Sequence, residues 1–204
     1  KGWCHCFRDP SVYIPDNHPK ILLSESDFAK YKKHIPDPKV KKEYDFLYVC
    51  LKDNDKCEEG WQSYNRNWEQ AEKCLDIMCN KFKLKGLLIG RQDCKLLKGC
   101  TNLMTKTRFI EWHTFIEKYK ESKFLFVPNI NDASPRVITE SLCHNIPCLI
   151  NQNIVGGWKY INNKTGVLFN DENDFEQKFD EIREGIKNND FEPRKYFIEN
   201  YGIV

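Results

Sequence analysis

The sequence lacks an excess of charge of either sign. Its 204 residues carry 32 Lys and Arg against 30 Asp and Glu, a formal +2 at pH 7. Bulk electrostatics therefore point neither to nucleic acid nor to an anionic membrane surface as a partner. No apolar run approaches the roughly 20 residues of a bilayer span, so no transmembrane segment is expected, and no secretory signal is readable. Internal repeats and low-complexity tracts are missing too, which sets aside repeat architectures. What is present is the make-up of an ordinary soluble domain, 40% hydrophobic, 30% charged and 13% aromatic. A chain of this length can build one full α/β domain, or one domain with an appendage, without staples. It begins with Lys1 rather than Met, and the expectation is a piece of a longer protein.

Ten cysteines are the compositional exception. An even number invites a disulfide reading, but Cys50, Cys74, Cys79, Cys143 and Cys148 fall in or beside apolar runs, where a free thiol behaves as a small hydrophobe. The expectation is reduced thiols and a cytoplasmic protein. Cys4-His5-Cys6 does not supply the four ligands of a structural zinc site. Asn163-Lys164-Thr165 spells a glycosylation sequon, a pattern common by chance and here without a leader to support it.

Residues 1–43 are rich in turn formers, with Pro10, Pro15, Pro19, Pro36 and Pro38, and read as an appendage or the end of a preceding domain. From Tyr44 the pattern becomes regular. Phe46–Leu51 and Leu84–Ile89 read as buried strands flanking a helix over Asn67–Lys81, whose Trp68, Ala71, Leu75, Met78 and Cys79 form one stripe. A weak strand is expected at Thr101–Met104. A helix marked by Trp112, Phe115, Ile116 and Tyr119 follows, then a central strand at Phe124–Val127. Pro135–His144 reads as a helix, and Cys148–Ile150 and Gly166–Phe169 as strands. A last helix is expected to be capped by Asn173, with Glu176 at the capping-box position. The tail, residues 191–204, is aromatic and is expected to pack back on the body formed by residues 44–190. This alternation predicts an α/β fold, an open doubly wound parallel sheet of Rossmann-like type.

In such sheets ligands bind beyond the carboxyl ends of the strands, which directs attention to the loop after Phe124–Val127. It carries Asn129, Asn131, Asp132 and Ser134 and runs directly into a helix. Asp132 or Ser134 can cap that helix, with Pro135 in its first turn. The backbone N–H groups of Arg136 and Val137 would then face the loop as an anion site, with the Arg136 side chain a second positive group. Glu140 lies a turn deep beside apolar neighbours, where accepting two ribose hydroxyls is one reason to hold a carboxylate. A simple capped helix with an Arg136–Glu140 surface pair is the alternative.

The segment Asp132-Ala-Ser-Pro-Arg-Val-Ile-Thr-Glu140-Ser-Leu-Cys-His-Asn-Ile-Pro147-Cys-Leu-Ile150 resembles the C-terminal domain of the retaining glycosyltransferases of family 4, which have the GT-B architecture. Val155-Gly156-Gly157 and Asn163-Lys-Thr-Gly166-Val-Leu-Phe169 are similar to two later segments of that family. The resemblance implies one half of a GT-B enzyme, binding a nucleotide diphosphate sugar and passing the sugar to a hydroxyl acceptor with retention. It gives Glu140 the ribose hydroxyls, and Asp132 the first acidic position, beside the transferred sugar, one methylene shorter than the family's Glu. Arg66 resembles the family's Lys at the opening of its first helix, and Lys52 the basic residue of the preceding loop. The two would meet the diphosphate, with Arg66 preferred because a guanidinium grips two oxygens; Arg91 is a third candidate. Ser134, Arg136, Val137 and Gly156 border the donor, and Thr105–Phe109 is expected near the base. No metal or other cofactor is required in this reading, and an acceptor-binding domain in the same or another chain is implied. Asp53-Asn54-Asp55 also resembles the manganese motif of GT-A glycosyltransferases and forms one rival reading; a non-catalytic nucleotide-binding or interaction domain is the other. His113 and His144 lack a nucleophile partner and read as structural.

Overall fold

The chain is described here from a computed structural model covering residues 1–202. In the N-terminal segment β1 (Trp3–His5) and β2 (Lys20–Leu22) form a small parallel pair. The main sheet holds six parallel strands, β3 (Tyr44–Val49), β4 (Gly86–Ile89), β5 (Met104–Thr107), β6 (Ser122–Val127), β7 (Cys148–Asn151) and β8 (Gly166–Phe169). Their spatial order is β5-β4-β3-β6-β7-β8. The chain therefore builds outward from β3 in one direction, then returns to build outward from β6 in the other. That reversal makes the β3/β6 junction the topological switch point.

The inner strands are buried on both faces, as in parallel sheets generally. Phe46, Tyr48, Phe124, Phe126 and Leu149 enter one core, and Leu47, Leu125, Val127, Cys148 and Ile150 the other. After the short α1 (Trp61–Asn65), the first core is closed by α2 (Trp68–Asp76) and α5 (Glu172–Asn188), whose Phe175, Phe179 and Ile182 are buried. The second is closed by α3 (Trp112–Lys120), α4 (Arg136–Cys143) and α6 (Pro193–Asn200). Each large apolar side chain so placed contributes roughly 1.5–3 kcal/mol of burial.

Several local expectations are corrected. The helix expected from Asn67 to Lys81 is α2 followed by a π turn at Ile77–Lys81, the wider turn keeping Met78 and Cys79 both in the core. The separate α1 before it ends where Asn67 turns left-handed at φ 52°, a conformation Asn tolerates. The weak strand lies at Met104–Thr107, because Lys98–Cys100 forms a 3-10 turn and the true strand is a polar edge. Asp171 with Asp174, not Asn173 with Glu176, makes the capping box of α5. Reduced thiols throughout are also overturned: Cys57 pairs with Cys94 and Cys79 with Cys100. An apolar setting does not distinguish a thiol from half a disulfide when the partner is brought by the fold. Cys50, Cys74, Cys143 and Cys148 are buried free thiols, as expected. Stable disulfides are characteristic of oxidising compartments, so the cysteines no longer support a cytoplasmic location. No helix among the described residues is long and apolar enough to cross a membrane.

The N-terminal segment is tied to the second core by buried polar contacts. Asp27 accepts from the Tyr160 hydroxyl at 2.6 Å and the Lys159 ammonium at 2.7 Å. From α6, the Arg194 guanidinium donates to the carbonyls of Tyr31, His34 and Cys143.

Candidate functional site

The crevice at the β3/β6 junction is built from the loops that leave those two strands. Asn67 donates its amide to the Pro128 carbonyl at 3.2 Å, fixing the start of α2 against the end of β6. Arg66, at the end of α1, then projects toward the loop after β6, where its Nη1 meets Asp132 Oδ2 at 2.7 Å. Asn129, buried at the strand end, donates to the same carboxylate oxygen at 3.3 Å. Arg66, Asn129, Asp132, Ser134, Arg136 and Val137 line a cavity of about 260 Å³. Both loops needed for this geometry are far apart in sequence.

Asp132 is not the helix cap that the sequence suggested. Its Oδ1 accepts from the Ser134 N–H at 3.3 Å, and Pro135 occupies the N-cap position itself, with no side-chain cap bond. The helix start consequently retains open N–H groups at Arg136 and Val137, beside the cavity. The Ser134 hydroxyl is engaged by Ser24 Oγ at 2.8 Å and Ser26 Oγ at 2.9 Å. The N-terminal segment thus sets the position of this loop from behind. Arg136 is exposed and lies 3.7 Å from Glu25 Oε1.

Gly156 supports the acidic segment from the opposite side. Its N–H donates to the Asp132 carbonyl at 2.9 Å, and a Cβ there would come within 1.8 Å of the Ala133 carbonyl oxygen. The position requires glycine for close backbone approach, and its N–H is already committed.

Glu140 is half-buried on α4, one turn beyond the cavity lining. The Tyr119 hydroxyl lies 3.1 Å from Glu140 Oε2 and 3.2 Å from the Val137 carbonyl, two acceptors for its one proton. Burial raises the Glu140 pKa, while the Tyr119 hydrogen bond, the charge of Arg136 and the neighbouring Trp112 pull it back. A carboxylate anchored through one oxygen has lone pairs left for a ligand.

Lys52 does not join Arg66. It lines a neighbouring cavity of about 500 Å³ with Asp55, Asp93, Arg108 and Phe109. There its ammonium lies 2.8 Å from Asp55 and 3.5 Å from Asp93, so its charge is already balanced. The loop expected near the base reaches this second cavity through Phe109, while Thr105 and Thr107 lie within β5. Asp53 is turned inward: its two oxygens receive the Gln62 and Ser63 N–H groups and the Ser63 hydroxyl, holding the start of α1. A metal at Asp53 would have to displace those donors. Arg91, the third candidate for the diphosphate, is fully buried over the Trp68 ring and bonded to Cys50 Sγ and Ser63 Oγ, so it braces the core. His113 is exposed on α3.

Sequence reasoning gave no site role to Asn67, Tyr119 or Trp112, and named Asn129 in the loop without its contact to Asp132. Tyr119 was legible only as part of an apolar stripe, where a hydroxyl at the buried end carries no periodic signal. Asn129 stood next to the strand end, and its position alone was a usable hint.

No protein-family model matches the sequence, and no curated protein matches it. Solved structures do. The chain is similar to a sucrose-phosphate synthase from Thermosynechococcus elongatus, with TM-score 0.68 at 13% identity, covering 95% of this chain and 51% of that one. It is similar to the C-terminal domain of a glycosyl transferase group 1 family protein from Francisella tularensis, with TM-score 0.61 at 9% identity, covering 86% of this chain and 100% of that one. A pneumococcal O-GlcNAc transferase, solved with UDP and GlcNAc, gives TM-score 0.61 at 11% identity over 94% of this chain and 39% of its own. The chain spans about half the length of the synthase it matches. At these identities the likeness establishes the fold, a Rossmann-like domain of the GT-B glycosyltransferase type.

Proposed function

We propose that the chain is the donor-binding half of a retaining, family 4 glycosyltransferase, which takes a nucleotide diphosphate sugar and passes the sugar to a saccharide or other hydroxyl acceptor. The observation that carries this is the Arg66–Asp132 contact across the switch-point crevice, beside an open helix start. In this reading Glu140 accepts the ribose hydroxyls through lone pairs left free by Tyr119. The diphosphate lies against the N–H groups of Arg136 and Val137 and the Arg66 guanidinium, with the Arg136 side chain free to swing toward it. Lys52, already paired with two carboxylates, is a lesser contributor, and Ser134 and Gly156 act by holding the loop.

Sugar transfer leaves negative charge on the departing diphosphate, and preorganised cationic and N–H donors stabilise it where it develops. Arg66 has five N–H donors. It can keep Asp132 on Nη1 while its remaining donors meet phosphate oxygens. Asp132, held by Arg66, Asn129 and Ser134, is placed to accept a hydroxyl of the transferred sugar. Charge stabilisation of this kind requires no metal. A second domain, in the same or another chain, supplies the acceptor.

Calorimetry with UDP, GDP, ADP and TDP, with and without manganese, tests the reading. One nucleoside diphosphate should bind without metal, and Arg66→Ala or Glu140→Ala should weaken it without unfolding the protein. Binding that strictly requires manganese and disappears on replacing Asp53 or Asp55 would support the GT-A reading instead.

A further inference from the structure

Two buried imidazoles lie directly beneath the groups that hold Glu140. His34 Nδ1, from the N-terminal segment, is 3.3 Å from Nε2 of His144 at the end of α4. Both side chains are buried. The His144 ring stacks on Tyr119, with centroids 5.4 Å apart and planes 17° from parallel. The His34 ring meets Trp112 edge-on at 5.8 Å. Tyr119 hydrogen-bonds Glu140 directly, and Trp112 is a neighbour that helps to hold the Glu140 pKa down.

We infer that the His34–His144 pair is a positioning element for Glu140, acting through Tyr119 and Trp112, and that protonating the pair loosens the carboxylate. The functional consequence, but not the coupling itself, rests on the reading of Glu140 as the ribose-binding group.

The neutral pair is self-consistent, because one imidazole N–H donates to the other ring's bare nitrogen. A further proton on His144 has no such outlet. Its Nδ1 is buried without a partner, so the added N–H would be an unsatisfied donor as well as a buried charge. The charged groups acting on the pair oppose protonation: Arg194 of α6, Lys33 beside His34 and Lys120 at the end of α3. The carboxylate of Glu140 meets the Tyr119 hydroxyl, and the Cys143 thiol, next to His144 in the chain, has its pKa pushed up to about 12 by burial. Burial lowers both pKa values; for His144 the His34 ring and these cations reinforce it, the Ile35 backbone pulls the other way, and the net is a pKa of about 3.

The sign follows from linkage. An imidazole whose docked pKa lies below its free value favours the docked state above about pH 6.5, and that advantage is lost progressively as pH falls toward the docked value. For His144 alone, the undocked state gains roughly 30-fold between pH 8 and pH 5. Undocking residues 24–35 from α4 lets both rings reach water. It also takes the His34 ring away from Trp112 and its nitrogen away from His144, whose ring stacks on Tyr119, and it breaks the serine contacts behind Ser134.

The test uses His34→Gln and His144→Gln, singly and together, with Tyr119→Phe as the variant that cuts the same link at its other end. In the ligand-free protein, ¹³C NMR follows the Glu140 carboxyl titration. In parallel, calorimetry from pH 8 to pH 5 follows whichever of UDP, GDP or ADP binds. The expectation is that His144→Gln and Tyr119→Phe each shift the Glu140 midpoint, and that combining them adds nothing further. The wild type should also lose affinity on acidification several-fold more steeply than the double Gln variant. A Glu140 midpoint that moves in Tyr119→Phe but not in either Gln variant would overturn the inference, as would identical pH profiles. If no nucleotide binds the wild type at any pH, the functional reading fails, and the ligand-free titration alone decides the coupling. Should His144→Gln fail to fold, His34→Gln carries the same comparison.

Discussion

Arg66 Nη1 lies 2.7 Å from Asp132 Oδ2, joining the end of α1 to the loop that follows β6 across the point where the strand order reverses. Both side chains are partly exposed, at 26% and 17%, so the contact has a modest structural worth of roughly 1 kcal/mol. Its larger role is to aim a guanidinium at the cavity. Arg66→Ala should therefore lower nucleoside diphosphate affinity roughly 10- to 100-fold, the loss of one or two charge-assisted hydrogen bonds. The denaturant midpoint should change little. Calorimetry and a urea titration on the same preparation separate the two effects.

Glu140 is held at a cost to stability. Burial raises its pKa, and a carboxyl whose folded pKa exceeds its unfolded value destabilises the fold once pH rises above the unfolded value. Removing the charge should relieve this. Glu140→Gln is expected to raise the melting temperature at pH 7 and to weaken nucleotide binding in the same protein. The stabilising effect should disappear as pH falls below the unfolded carboxyl range. A variant that both melts lower and binds normally would contradict the assignment.

The sheet, its strand sequence and the crevice were legible because they rest on long apolar runs such as Phe124–Val127 and on the position of the loop that follows. Asp132, Glu140 and Arg66 were legible as candidates, but the contacts they make were not. Asp132 serves an Asx-type turn and an ion pair rather than a helix cap, because Pro135 ends the loop itself. Lys52 was placed in the right loop, yet Asp93, from the loop after β4, balances it. Arg91 carried the charge expected of a phosphate ligand, and only the fold shows Trp68 and Ser63 enclosing it. Contacts between elements distant in sequence have no local signal, and this also hid Cys57–Cys94 and Cys79–Cys100.

The Cys57–Cys94 link, spanning 37 residues, ties the loop after β3 to the loop after β4. A loop of that length gives roughly 3–4 kcal/mol of stabilisation on the chain-entropy account. Unfolding free energies from urea titrations of the wild type and Cys57→Ser, with and without reductant, should differ by most of that amount before reduction and converge after it.

Gly156→Ala places a Cβ 1.8 Å from the Ala133 carbonyl oxygen, so the backbone of residues 132–135 must move. The expected destabilisation is about 1–3 kcal/mol, accompanied by weakened nucleotide binding although Gly156 touches no ligand in this account. Thermal melts and calorimetry on this variant report the two effects together.

Asp27 is a buried acceptor for Tyr160, Lys159 and the Ser24 N–H. Asp27→Ala leaves a buried ammonium without its partner, at a cost of roughly 3–5 kcal/mol. It should also expose residues 24–35 to limited proteolysis at protein concentrations where the wild type resists.

The most direct measurement is a crystal structure with the tightest-binding nucleoside diphosphate. The ribose hydroxyls should lie within hydrogen-bond reach of Glu140, and the diphosphate against Arg66 and the Arg136 and Val137 N–H groups. A diphosphate seated instead on Lys52 and Asp55, with Arg66 still bonded only to Asp132, would contradict the account.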